Sequence, residues 1–245
     1  MSGYVKLSGE RELFSSGHTL SLVEHGKGFL GYKGEVLFEG VSLLKGKNID
    51  SLSEVGFIED VRWGSAVEVS GNVYLFCAKQ SKADSNPWRY QDIHLYHSKD
   101  GINFKSCGKV TEGSAPFIYY DDLQFHLFYH LRNPHRILCR SSNIPFNLSF
   151  TPANLILKRD YTISAPSICY FNRSYWLTCE RRMEGKDWDT PLFKGKDFND
   201  FKIVKDPLLD ARACTFQHLF GKRLILTYSA IRNGVWKIFV REGLV

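Results

Sequence analysis

Gly113-Ser114-Ala115-Pro116-Phe117-Ile118-Tyr119-Tyr120 leads through the turn Asp121-Asp122 into Phe125-His126-Leu127-Phe128-Tyr129, and about fifty positions on the phrase returns. There it reads Ile163-Ser164-Ala165-Pro166-Ser167-Ile168-Cys169-Tyr170, a turn at Asn172-Arg173, then Tyr175-Trp176-Leu177-Thr178-Cys179. Each copy is an apolar strand, a polar turn and an aromatic-rich strand, the pattern of a β-hairpin. Weaker copies flank the pair. Gly64-Ser65-Ala66-Val67-Glu68-Val69 runs through Gly71-Asn72 to Val73-Tyr74-Leu75-Phe76-Cys77, and Ala213-Cys214-Thr215-Phe216 runs through Gly221-Lys222 to Leu224-Ile225-Leu226-Thr227-Tyr228. The faintest copy joins Leu20-Ser21-Leu22-Val23 to Phe29-Leu30-Gly31-Tyr32 across Gly26-Lys27-Gly28.

The outer half of the unit repeats as well. Lys99-Asp100-Gly101-Ile102-Asn103-Phe104 is matched by Lys196-Asp197-Phe198-Asn199-Asp200-Phe201, and Asn143-Ile144-Pro145-Phe146 holds the equivalent place between them. These are turns in which an Asp or Asn bonds the local backbone and an aromatic ring pins the turn to the sheet, a structural role. Five copies of a four-stranded unit, without an amphipathic helix, predict an all-β fold: a five-bladed β-propeller with four-stranded antiparallel blades, one domain over residues 1–245. A β-sandwich is the rival, but it needs no regular period of this length. The last strand, around Trp236-Lys237-Ile238-Phe239-Val240, is expected to close the ring against an N-terminal strand within Val5 to Phe14.

Composition narrows the function classes. At 43% hydrophobic and 14% aromatic the chain is globular rather than disordered. Met1-Ser2-Gly3-Tyr4-Val5-Lys6 lacks the apolar run of a secretory signal, and no segment approaches the length of a membrane span. Cys77, Cys107, Cys139, Cys169, Cys179 and Cys214 form no C-x-x-C pair, and most lie in apolar runs, as reduced core residues of a cytoplasmic protein do. The net charge of +6 is spread along the chain with no basic arm, so neither a nucleic acid nor a membrane is expected as a partner. No glycine-rich phosphate loop, nucleophile elbow or zinc spacing is present, and no metal or cofactor is expected.

In a propeller the first strand of each blade lines the axis, so the loops ahead of those strands surround one mouth. They carry Glu59-Asp60-Val61-Arg62-Trp63, Glu112, Arg159-Asp160-Tyr161 and Asp210-Ala211-Arg212. Charged loops are ordinary decoration, but the symmetry would gather these at one place, where crowding can raise one carboxyl pKa enough for acid catalysis. Glycoside cleavage uses such a set, one carboxyl protonating the departing oxygen and another activating water or attacking the anomeric carbon. Glu180-Arg181-Arg182, after the second strand of the fourth unit, can project into the same mouth, with Arg181 and Arg182 clamping a phosphate or a sugar acid; a surface ion pair is the plainer reading. Trp63, Trp88 and Trp188 lie in polar segments suited to stacking on sugars or to packing, whereas Trp176 and Trp236 fall in strands as core residues. His126, His130 and His135 read as packing or hydrogen-bonding residues, and His218 as one that can face the axis.

The Ser-Ala-Pro strand opening, the hairpin ending in an aromatic-leucine strand and the Ser98-Lys99-Asp100-Gly101-Ile102-Asn103-Phe104 turn resemble the five-bladed glycosidase propellers of glycoside hydrolase families 43, 32, 62 and 130. Phe57-Ile58-Glu59-Asp60-Val61-Arg62 is similar to the Glu-Asp-Pro-Arg signature of family 130, the mannoside phosphorylases and mannosidases. The resemblance nominates Asp60 as proton donor and Arg62 as a sugar or phosphate ligand, and implies an oligosaccharide or polysaccharide substrate with inorganic phosphate as a possible second one. Val61 stands where the signature has proline, and Ser114, Ser164, Phe117 and Ser167 stand where family 43 commonly has acids. Two expectations follow. One is a glycoside hydrolase or glycan phosphorylase with Asp60 as acid, a second carboxylate from Asp160, Glu180 or Asp210, and Glu59, Arg62, Trp63, Arg181, Arg182 and Arg212 holding substrate. The other is a catalytically silent glycan-binding propeller or accessory protein of polysaccharide metabolism that uses the same mouth. A propeller that binds only protein is a third, since fold does not dictate function.

Overall fold

The computed structural model describes residues 4–35, 40–80, 91–146 and 149–245. Strands β2 (Thr19–His25), β3 (Gly28–Gly34), β4 (Gly40–Gly46) and β5 (Ser53–Glu59), after a short β1 (Arg11–Phe14), form the first blade as an antiparallel sheet in chain order. Blade two is β6 (Val61–Val69), β7 (Asn72–Gln80), β8 (Gln91–Ser98) and β9 (Lys105–Glu112), and blade three is β10 (Ser114–Tyr120), β11 (Phe125–Leu131), β12 (Arg136–Ser142) and β13 (Asn154–Lys158). Blade four comprises β14 (Thr162–Phe171), β15 (Ser174–Arg182), β16 (Thr190–Gly195) and β17 (Lys202–Leu209). Blade five takes β18 (Ala213–Phe220), β19 (Arg223–Arg232) and β20 (Val235–Leu244) from the C-terminus and β1 from the N-terminus, with Arg11 opposite Val240 and Phe14 opposite Ile238. The ring thus closes with the two strands expected to close it, and the period-derived five-bladed propeller is the fold.

Burial follows strand position. The inner strand β6 opens with six consecutive buried residues because other blades cover both of its faces, while β17 is exposed along five of its eight residues. The repeated outer turns are structural, as their composition indicates. Asp100 accepts from the backbone of Ile102 and Asn103 and from the Asn103 side chain, which holds its carboxyl well below the usual range, and Phe104 meets Tyr32 of blade one edge-on at 5.7 Å. All six cysteines are free thiols, five of them buried.

Neighbouring inner strands are tied by side chain to backbone bonds at one recurring position. Ser21 Oγ accepts from Ala66 N at 3.0 Å, Ser65 Oγ from Ile118 N at 3.1 Å and Ser167 Oγ from Gln217 N at 2.7 Å. The other two blades place Phe117 and Phe216 there, and their rings meet edge to face at 5.5 Å, filling the axis. A cavity of about 430 Å3 lies at the far end, lined by the last residues of the inner strands, including Gln217 and His218. His218, which reaches the axis as its place in the last hairpin allows, bonds the Leu20 carbonyl and the Thr227 hydroxyl. These two kinds of axial tie differ in strength. Phe117→Ala is expected to cost about 3–5 kcal/mol through lost burial and the void it leaves, and Ser65→Ala about 1–3 kcal/mol through an orphaned buried amide, as read by urea unfolding followed by circular dichroism.

Candidate functional site

Trp63, Ala115, Ala165 and Cys214 all have positive φ, between 44° and 52°, although none is glycine. Each sits near the start of an inner strand, and at each the pairing with the second strand shifts register: between Arg62 and Ser65, Ser114 and Phe117, Ser164 and Ser167, Ala213 and Phe216. A left-handed residue inside a strand is strained for a side chain with a Cβ, and a bulge of this kind turns the strand and re-aims its neighbours. The bulges also correct the alignment of the repeats. Arg62-Trp63-Gly64, not Gly64-Ser65-Ala66, is the blade-two counterpart of Ser114-Ala115-Pro116, because the left-handed residue and not the Ser-Ala dipeptide marks the position.

The residue before each bulge pairs across to the end of the second strand, giving Arg62 with Ala78, Ser114 with His130, Ser164 with Glu180 and Ala213 with Ser229. In blade one His18 takes the place, its amide bonded to the Gly34 carbonyl at 2.8 Å. A Cβ at Gly34 would fall 2.3 Å from the Thr19 hydroxyl, so the buried Thr19 side chain would have to shift to admit one. One pair per blade therefore rings the mouth. Ser114 Oγ lies 3.1 Å from His130 Nδ1, His130 Nε2 lies 3.0 Å from His135 Nδ1, and His135 Nε2 reaches the Thr162 hydroxyl. Glu180 is held by three donors: Ser164 Oγ on one oxygen, and the Cys214 amide and thiol on the other. Trp63 Nε1 donates to His18 Nδ1 at 3.3 Å, so the neutral His18 ring carries its proton on Nε2.

These side chains enclose a cavity of about 320 Å3 lined by His18, Arg62, Trp63, His130, Arg132, Thr162, Ser164, Glu180, Trp188, Ala213 and Trp236. The Arg62 side chain is 1% exposed, and its guanidinium lies 3.6 Å from the centre of the Trp63 ring. Burial pulls its pKa down to about 10, which leaves it cationic at neutral pH. Burial, aided by the Arg62 charge, pushes His18 down to about 3; burial, with His135 and Arg132 beside it, pushes His130 down to about 3. Both imidazoles are neutral across the physiological range. Among the described residues no group of three or more His, Cys, Asp or Glu is arranged to hold a metal ion.

Of the residues singled out in the sequence, the structure brings Arg62, Trp63, Glu180 and Trp188 to this cavity. Asp60, Asp160, Asp210 and Glu59 are exposed in or beside the loops ahead of the inner strands and do not line it; the bulges turn the chain inward only after those loops have passed. Arg181 alternates away from Glu180 and is clamped by Asp189, at 2.7 and 2.8 Å, and by Asp206. Arg212 forms a two-pronged ion pair with Glu10, tying the N-terminal segment to blade five, and Arg182 is exposed with its guanidinium 5.6 Å from the Trp188 ring centre. Trp88 lies outside the described residues. Trp176 is wholly buried, as its strand position suggests, but Trp236 lines the cavity. His18, His130, Arg132 and Trp236 were not assigned to the mouth by their sequence. The signal for two of them was the repeat itself: His130-Leu131-Arg132 occupies in blade three the place of Glu180-Arg181-Arg182 in blade four.

The depressed histidines make stability fall in mild acid. Below about pH 6.5 the unfolded chain binds protons at His18 and His130 that the folded chain refuses, so stability rises with pH from about 3 to 6.5. The urea midpoint is expected to drop between pH 6.5 and 5, before most carboxylates titrate, and to drop less in His130→Gln.

No protein-family model matches the chain, and no curated protein matches it in sequence. Its fold, by contrast, is shared with solved glycosidases. An α-L-arabinofuranosidase from Lactobacillus brevis superposes with a TM-score of 0.75 at 10% identity, over 92% of this chain and 90% of that one. A family-43 enzyme from Xanthomonas citri in complex with xylotriose superposes with a TM-score of 0.72 at 12% identity, over 95% and 89%. A family-32 β-fructofuranosidase from Bombyx mori gives a TM-score of 0.73 at 14% identity, over 95% of this chain and 62% of that one. The chain has the five-bladed propeller fold of the family-43 and family-32 glycoside hydrolases.

Proposed function

We propose that the axial mouth binds carbohydrate without cleaving it, in a protein of the cytoplasm. The shared fold supports a sugar as the ligand, since one propeller of this fold is known in complex with xylotriose. Two tryptophans of the cavity, Trp188 and Trp236, supply flat apolar surface of the kind pyranose faces stack on, while Trp63 has a ring face covered by Arg62. The observation that carries the second half of the reading is the count of carboxylates. Hydrolysis by the usual route takes two carboxyl groups about 5–10 Å apart, and among the described residues the cavity is lined by one, Glu180. That carboxylate accepts from Ser164 and twice from Cys214, a setting for an acceptor and not for the donor that a leaving oxygen needs.

One observation favours a second reading. Arg62 and Arg132 lie within electrostatic reach of Glu180, and phosphate held by two guanidiniums can itself be the nucleophile, so phosphorolysis needs a single protein carboxyl group. A phosphate oxygen would bond to the anomeric carbon, the glycosidic bond would break, and Glu180 would give its proton to the leaving oxygen.

A glycan array followed by calorimetry on the hits separates the two. Saturable binding is expected, weakened roughly three- to tenfold by Trp236→Ala, with neither reducing sugar nor sugar 1-phosphate released in prolonged incubation with or without phosphate. Release of sugar 1-phosphate would establish the second reading, and release of free sugar without phosphate would contradict both.

A further inference from the structure

We infer that the far end of the axis is a second binding site, one for a small organic ammonium ion, framed by the carboxylates of Glu24 and Glu68 and the rings of Tyr120 and Tyr170. It stands apart from the carbohydrate reading, because the layer that contains Phe117 and Phe216 fills the axis between the two ends. Its basis is one position of the repeat. Three residues on from Ser21, Ser65, Phe117, Ser167 and Phe216 come Glu24, Glu68, Tyr120, Tyr170 and Leu219, and all five line the cavity of about 430 Å3. Blades one and two, which are neighbours, thus each supply a carboxylate, blades three and four each supply a tyrosine, and blade five supplies an apolar side chain. A cation entering there has acids on one side and aromatic rings on the other.

The rings are set in place before anything binds. Tyr170 packs on Tyr175 and Tyr120 on Phe125, each with ring centroids 4.8 Å apart, and Tyr119, which also lines the cavity, stands edge-on to Tyr175 at 6.4 Å. The turn after Tyr120 adds a third acid. Asp121 accepts from the backbone amides of Leu123 and Gln124 and bonds His126, whereas Asp122, at a φ of 71°, lines the cavity. Burial first, then Tyr175 and Asp121, push the Tyr119 phenol far above its ordinary value, so it stays a neutral hydroxyl. Aromatic faces and carboxylates together select an organic cation. A tyrosine face attracts the charge of an alkylated nitrogen and covers its methyl or methylene groups. A calcium or magnesium ion asks instead for six or more oxygens around one point, and the acids here come from three different blades.

The test is calorimetry on the full chain with choline and putrescine, each against an uncharged isostere (the carbon analogue of choline and a diol matched in length to putrescine), and with calcium as the inorganic probe. At least one amine is expected to bind saturably with a dissociation constant below about 10 mM, roughly tenfold more tightly than its isostere, with a preference that shrinks as salt is added. Tyr170→Ala and Glu24→Gln, both at exposed residues, are each expected to weaken that binding about threefold or more, while Trp236→Ala at the opposite end leaves it unchanged. Failure of both amines to bind, or equal binding of the isosteres, would overturn the inference and leave the carbohydrate reading in place. Weakening in Glu24→Gln without weakening in Tyr170→Ala would overturn it by reducing the effect to general attraction of charge. Weakening in Trp236→Ala alone would overturn it by placing the amine at the mouth. Calcium bound more tightly than either amine would overturn it in favour of an inorganic cation.

Discussion

In four of the five blades the inner strand carries, near its start, one residue in the left-handed region, and the rest of the mouth is arranged around that constraint. Trp63, Ala115, Ala165 and Cys214 each accept a backbone conformation that costs a residue with a Cβ about 1–3 kcal/mol. The return is geometric, because the bulge bends the strand so that its preceding side chain meets the end of the second strand at the axis. Each of the five blades then contributes one or both members of its facing pair to a single cavity, and Trp63, Arg132, Thr162, Trp188 and Trp236 complete the lining. Repetition supplies the shape, and departures from repetition supply the function. Where the pair is Ala213 with Ser229 the blade only encloses; where it is Ser164 with Glu180, or Arg62 with Ala78, it acts.

The same logic explains what keeps the two ends of the axis apart. Three serines bond inner strand to inner strand, and at the same repeat position in the other two blades Phe117 and Phe216 meet edge to face. Hydrogen bonds spanning the blades and a pair of aromatic rings thus share one layer. The layer gives the mouth a firm floor, which is why Glu180 can take its partners from two blades.

Much of this was legible in the sequence, and the part that was not has a physical cause. The period, the blade number and the closure by the last strand came from apolar alternation and turn residues, which report directly on strands. Asp60, Asp160 and Asp210 misled because a loop ahead of an inner strand is near the mouth in topology, yet the side chain faces inward only after the bulge. A bulge at Trp63 leaves no compositional mark, unlike one at glycine, so the true counterpart of Ser114, Arg62, was displaced by the look-alike Ser65. Trp236 misled for a related reason: it belongs to a strand, but it follows the Asn233-Gly234 turn and stands where that strand meets the cavity. Glu180 was found because it sits at the end of a strand whose repeat was clear.

The central claim is that one axial cavity, to which every blade contributes, receives a carbohydrate. A crystal structure of the protein soaked with an oligosaccharide that binds it tests the claim most directly. The expected result is a sugar ring against Trp188 and Trp236 and beside Glu180. Density for the sugar in the opposite axial cavity near Gln217 and His218, or on the outer edge of a blade, would contradict it.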